Sequence, residues 1–183
     1  LHYTYTAADA NKEFTKIDAK AIATTIMKVM TIDGDSNAGK QEADLKTILP
    51  STIAGINPAW RSGRDEPLAV PNGSMIIEAC SPTYAKEALS TGEYHTPALP
   101  CEIAVTVNPD NNNTIDISIL NPEFMFGALF ADAMEDMSST QIDEFNAIID
   151  NINGDLKTIV DYSVEHNITD LVLEGEKITP ILY

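Results

Sequence analysis

Two runs in the middle of the chain alternate apolar and polar residues: Cys101-Glu-Ile-Ala-Val-Thr-Val107 and Thr114-Ile-Asp-Ile-Ser-Ile-Leu120. Successive side chains of a strand point to opposite faces, so each run lays one apolar face on a core and turns a polar face away from it. The Pro-Asp-Asn-Asn-Asn between them is a polar turn, and the pair reads as an antiparallel hairpin. The neighbouring segments must supply the rest of the sheet and the helices that cover it.

Upstream, Met75-Ile-Ile-Glu-Ala-Cys80 reads as another strand, and Ser81-Pro82 as an N-cap with proline in the first helical turn, opening a helix through Leu89. Downstream, Asn121-Pro122 repeats that signal and begins a helix through about Met137. Ser139 caps the next helix, which Asn153-Gly154 interrupts or ends before more helix to about His166. Leu171 to Leu182 reads as a second hairpin turning at Glu174-Gly175. At the other end, residues 6–32 read as helix: Thr6 and Asp9 resemble a capping box, and Ile22, Ile26, Val29 and Met30 share a face. A polar break precedes a short helix ending at Pro50. Residues 51–73 hold three prolines and three glycines and read as one long irregular connection.

These elements predict an α+β fold, a curved antiparallel sheet with helices packed on it, in a single domain over 1–183. Its parts are a helical N-terminal region (1–50), the irregular loop (51–73), an α+β core (74–137), and helices with a C-terminal hairpin (138–183). No apolar run reaches the roughly 20 residues of a membrane-spanning helix. Asp and Glu outnumber Lys and Arg by 28 to 11, for a formal charge of −17. That field repels phosphate backbones and anionic lipid, which disfavours nucleic acid and membrane surfaces as partners. The chain opens on Leu1 without a methionine, and its two cysteines form neither a disulfide-dense framework nor a zinc spacing. Compartment stays open on this basis, with a lean to the periplasm over the cytoplasm.

The segment from Met75 to about Met137 resembles the family known as domain of unknown function 302. The resemblance rests on a strand ending in Ala-Cys and a Pro-opened helix, Cys80-Ser-Pro-Thr-Tyr-Ala-Lys-Glu-Ala-Leu89. A strand opened by Leu-Pro-Cys follows (Leu99-Pro-Cys-Glu-Ile-Ala-Val105), then one running into Leu120-Asn-Pro122 and a Met/Ala-rich helix. It implies a fold related to the TATA-box-binding-protein half-domain and a dimeric habit; it implies no activity, since function lives in sites and not folds. Ser81 stands where the family usually has Asn, and both cap helices. The family's opening strand–helix–strand has no recognisable counterpart in residues 1–73.

Four features carry candidate chemistry, each beside a plain structural reading. Cys80, His95 and Cys101 could form a thiol, redox, metal or haem site; the plain reading is that the thiols are packed apolar residues, with Cys101 on the core face beside Ile103 and Val105. Asp33, Asp35, Asn37 and Asp44 echo the oxygen ligands of an EF-hand calcium loop at positions 1, 3, 5 and 12, but Ala38, Lys40 and Asp44 depart from that pattern, and a capped helix–turn–helix explains them equally. Trp60, Arg61 and Arg64, the only tryptophan and arginines, could capture a small anion; otherwise the arginines pair with local carboxylates and the indole pins the loop. The helix from Pro122 is apolar around most of its circumference, which predicts burial on two sides, by its own domain and by further helices or a second subunit. No nucleophile–base ordering or phosphate-cradling glycine loop appears, and the sequence requires no cofactor. The leading expectation is a non-enzymatic binding module, a homodimer with an acidic surface and an unidentified small-molecule ligand. The thiol or metal site and the anion loop are the alternatives.

Overall fold

The computed structural model describes residues 1–28, 30–32, 60–62, 66–90, 101–167 and 171–177. Its centre is an open antiparallel sheet in the order β5-β6-β7-β1-β8: β5 (Met75–Cys80), β6 (Cys101–Val107), β7 (Thr114–Ile119), β1 (His2–Ala7) and β8 (Leu171–Lys177). The expected hairpin is present, with Ile103 opposite Ile119 and Val107 opposite Ile115. Its turn is built by asparagines. Asn108 Oδ1 accepts from the backbone N–H groups of Asp110 and Asn111. Asn113 Nδ2 reaches across to donate to the carbonyls of Asp9 and Lys12, each at 2.8 Å, so the turn also fastens the segment that follows β1.

Three sequence expectations about strands are corrected. The N-terminal region is not helical from residue 6: His2-Tyr-Thr-Tyr-Thr-Ala7 is a strand with Tyr3, Tyr5 and Ala7 buried, inserted between β7 and β8. Its alternation supplies one buried face, which a helical pitch would scatter. Helix α1 (Lys16–Lys28) begins later, at a box made by Thr15 and Asp18. There the Thr15 N–H and hydroxyl donate to Asp18 Oδ2 at 2.7 and 2.8 Å, and the Ile17 N–H donates to Thr15 Oγ1. Second, β8 does not turn at Glu174-Gly175. It runs on as one strand, with Glu174 opposite Thr4 and Lys177 opposite His2, so one extra residue bulges beside the glycine. Third, the stretch read as irregular contains β3 (Arg61–Ser62) and β4 (Leu68–Ala69), both paired with β5; β2 (Thr31–Ile32) lies beside β3.

Helix α2 (Pro82–Leu89) starts at its expected proline. The next helix divides into α3 (Pro122–Leu129), capped by Asn121 accepting from the Glu123 N–H at 3.0 Å, and α4 (Ala131–Glu135). Helix α5 (Ser139–Asn167) is continuous through Asn153-Gly154. Its cap is Ser138, one residue before the expected one: Gln141 Oε1 accepts from the Ser138 N–H and hydroxyl. Helices α1 and α5 lie on the sheet face that carries Tyr3, Tyr5, Ile77, Ile103, Val105, Ile115 and Ile117, and these residues form the core with Ile22, Ile26, Leu156 and Ile159. Phe126 of α3 and Phe130, which follows it, stack at 4.9 Å and meet Phe145 of α5 at 5.4 and 5.3 Å. The other side of α3 is open, with Phe124 58% and Leu129 38% exposed, so within one copy this helix is buried on one side and not two. No helix among the described residues is long and apolar enough to cross a membrane.

Candidate functional site

With α1 and α5 on one face, the opposite face of the sheet is uncovered by any described helix. Register fixes its members: Ile76, Glu78 and Cys80 from β5; Glu102, Ala104 and Thr106 from β6; Asp116 and Ser118 from β7; His2, Thr4 and Thr6 from β1. The alternation that puts Tyr3 and Tyr5 into the core places His2 and Thr4 here, half-buried and beside Ser118 and Asp116 respectively.

These four side chains form one network. His2 Nδ1 lies 3.0 Å from Ser118 Oγ, and His2 Nε2 lies 3.4 Å from both Asp116 Oδ1 and Thr4 Oγ1. The Thr4 hydroxyl donates to Asp116 Oδ1 at 3.0 Å, and Asn108 Nδ2 donates to Asp116 Oδ2 at 2.8 Å. On the neighbouring strand, Thr106 donates to Ser74 Oγ at 2.6 Å. No spacing motif marks this cluster, because His2 and Asp116 come from strands that pair only in the fold. The readable signal was the period-two pattern of residues 2–7, which would have placed His2 and Thr4 on a polar sheet face.

The predicted site residues are distributed differently. Cys80 is half-buried on the uncovered face, opposite Arg61 of β3. Cys101 stands opposite Ala79, so the two cysteines are one residue out of step and occupy register positions on opposite faces. His95 lies outside the described residues, as do Asp33, Asp35, Asn37, Asp44 and Arg64. Trp60 is 3% exposed, donates from Nε1 to Asp155 Oδ2 at 2.8 Å, and meets the Tyr84 ring edge-on at 6.1 Å. Tyr84 donates to the same carboxylate oxygen at 3.1 Å. The indole is thus engaged with α5, while Arg61 belongs to β3.

On the covered face, Tyr5 donates to Asp161 Oδ1 at 2.8 Å, and Lys157 donates to Asp161 Oδ2 at 2.6 Å while lying over the Tyr3 ring. Burial, and then the Asp161 carboxylate, push the Tyr5 phenol well above its usual ionisation range. Among the described residues, no group of three or more His, Cys, Asp or Glu gathers as a metal-ligand set.

No curated protein matches the chain. Residues 69–152 match the family model described as Domain of unknown function DUF302, a stretch running from β4 into α5 that takes in β5, the β6–β7 hairpin and α3. The matched stretch contains the strand, capped helix and Leu-Pro-Cys signature on which the resemblance rests.

Proposed function

We propose that the chain is a binding or interaction module, with no reaction of its own, that meets its ligand or partner across the uncovered face of the sheet. One observation carries this reading. All the core-forming described helices lie on one side, while the other presents a hydrogen-bonded polar cluster, His2, Thr4, Asp116 and Ser118, within a field of Thr106, Glu78 and Glu102. Polar groups fixed in place on a rigid sheet recognise without reorganising, which lowers the entropic cost of binding. A homodimer belongs to the same reading, supported by the apolar side of α3 that a single copy leaves open at Phe124 and Leu129.

Native mass spectrometry of the protein isolated from its source tests both parts, since it reports oligomeric state and retained mass together. Ile76→Arg places a long charged side chain on the uncovered face, and Phe124→Glu places a charge on the open side of α3. The expected result is that I76R loses the retained ligand or partner and keeps its oligomeric state, while F124E becomes monomeric. Retention of the same mass by a folded I76R overturns the sheet-face reading, and an unchanged oligomer in F124E, or a monomeric wild type, overturns the dimer.

A further inference from the structure

The dipeptide Asn-Gly occurs twice in the chain, as Asn72-Gly73 and Asn153-Gly154, in opposite surroundings. Asn153-Gly154 lies inside α5, where regular helix holds the backbone on both sides. Asn153 Oδ1 is buried there, with no donor among the described residues. Asn72-Gly73 instead forms the turn between β4 and β5. The Gly73 N–H donates to the Val70 carbonyl at 2.9 Å, and the Val70 N–H donates to the Ser74 carbonyl at 3.1 Å. Gly73 takes a φ of 88°, which a residue with a Cβ rarely adopts.

An asparagine that precedes glycine can lose its side-chain amide to its own backbone. The glycine nitrogen attacks Cγ of the asparagine, and glycine has no side chain to obstruct that approach. Three features of Asn72 favour this step. The Ser74 N–H donates to Asn72 Oδ1 at 3.0 Å, where it polarises the carbonyl and stabilises the oxyanion that attack creates. The Lys16 side chain lies over Gly73, so close that an added Cβ would meet Lys16 Cε at 2.8 Å and Nζ at 3.4 Å. A cation there favours the deprotonated, nucleophilic form of the neighbouring nitrogen. Asn72 is also exposed, which admits the water that completes the reaction. The hydrogen bond from Gly73 to Val70 must open first. It closes a turn on β4, a strand of two exposed residues, and such short surface pairings open locally at low cost.

We infer that Asn72 is a site of spontaneous covalent modification, converted in the folded protein through a succinimide to aspartate and isoaspartate. The Gly73 nitrogen gives its proton to hydroxide and bonds to Asn72 Cγ. The bond from Cγ to Nδ2 breaks, and the leaving nitrogen takes up protons from water and departs as ammonia. Water then adds to one of the two ring carbonyls. Opening at Cγ gives aspartate, and opening at the main-chain carbonyl gives isoaspartate, whose backbone runs through the side chain. Either product adds a carboxylate to the turn. Isoaspartate also lengthens the main chain between Ala69 and Met75, which stand opposite each other.

The test ages the full folded chain at neutral and mildly alkaline pH, digests it in acid, and follows both Asn-Gly peptides by mass spectrometry. Labelling with an isoaspartate-specific carboxyl methyltransferase identifies the second product. The expected result is that the Asn72 peptide gains the mass of an amide-to-acid change, splits into two isomers, and converts faster as pH rises. The Asn153 peptide stays intact in the folded chain, whereas in urea both convert. Lys16→Gln, an exposed position where circular dichroism should show an unchanged fold, slows Asn72 conversion by about fivefold, the weight of one charge close to another in water. An Asn72 that stays intact in the folded chain while the urea-treated chain converts overturns the inference. Equal conversion of Asn72 and Asn153 in the folded chain overturns it too, because the reaction would then follow global unfolding. An unchanged rate in K16Q overturns the part given to the lysine.

Discussion

The indole N–H of Trp60 donates to Asp155 Oδ2, joining the residue before β3 to the middle of α5 across 95 positions of sequence. The same oxygen accepts from Tyr84, so one carboxylate holds the edge segment and α2 to the long helix. Removing it takes an acceptor from the buried indole N–H. Asp155→Ala should therefore lower stability by about 1–3 kcal/mol, and Asp155→Asn by less, because an amide oxygen still accepts. Urea unfolding followed by fluorescence checks this directly, since Trp60 is the only tryptophan.

Tyr5 should stay protonated in the folded protein beyond the range in which tyrosines ionise. Its folded value is raised above the unfolded value of 10.0, so the unfolded chain releases that proton first. The associated stability is fully present below about pH 10 and falls as pH rises further, by up to about 1.4 kcal/mol per pH unit. Tyr5→Phe should flatten the alkaline limb of a stability-against-pH curve. Loss of the hydrogen bond to Asp161 should lower stability at neutral pH by about 1 kcal/mol. Ultraviolet titration of the native protein should show the Tyr5 contribution only on unfolding.

The start of α5 depends on a reciprocal pair. Ser138 Oγ accepts from the Gln141 N–H at 3.4 Å, while Gln141 Oε1 accepts from the Ser138 N–H at 3.0 Å. Ser138→Ala should cost about 1 kcal/mol, whereas Ser139→Ala, one residue inside the helix, should be close to neutral. Paired thermal melts distinguish the two positions.

The parts of the fold that were legible in the sequence are those decided by near neighbours. The β6–β7 hairpin follows from alternation on both arms and a polar turn between them, and α2 and α3 begin at their Ser-Pro and Asn-Pro signals. What was misread depends on partners far along the chain. Residues 2–7 carry a strand pattern too short to stand against the strong helical spacing that follows, and only pairing with β7 and β8 decides the matter. Gly175 beside Glu174 has the look of a turn, and a pairing with β1 makes it a bulge. Asn153-Gly154 has the look of a helix interruption or end, but α5 carries the core residues Ile152, Leu156 and Ile159 around it, and burial of that stripe outweighs a glycine penalty of about 1 kcal/mol.

The candidate site shows the same division. Motif reasoning looks for chemistry at fixed spacing and found the cysteines, the acidic loop and the arginines. The polar cluster of His2, Thr4, Asp116 and Ser118 has no spacing, because a sheet register assembles it. Strand alternation placed Cys101 with Ile103 and Val105, and its position opposite the fully buried Ala79 is the same face. Its relation to Cys80 required the register of β5 on β6, which alternation within each strand does not contain.

The position of β1 also imposes a schedule on synthesis. This strand is made before both of its neighbours in the sheet, with Thr6 and Thr114 separated by 108 residues. At about 5–20 residues per second, translation leaves Tyr3 and Tyr5 without a sheet to join for roughly 5–20 seconds. During that interval an emerging chain carries an unpaired, aromatic strand, and a chaperone or a neighbouring nascent chain has first access to it. β8, made after β7, then closes against β1.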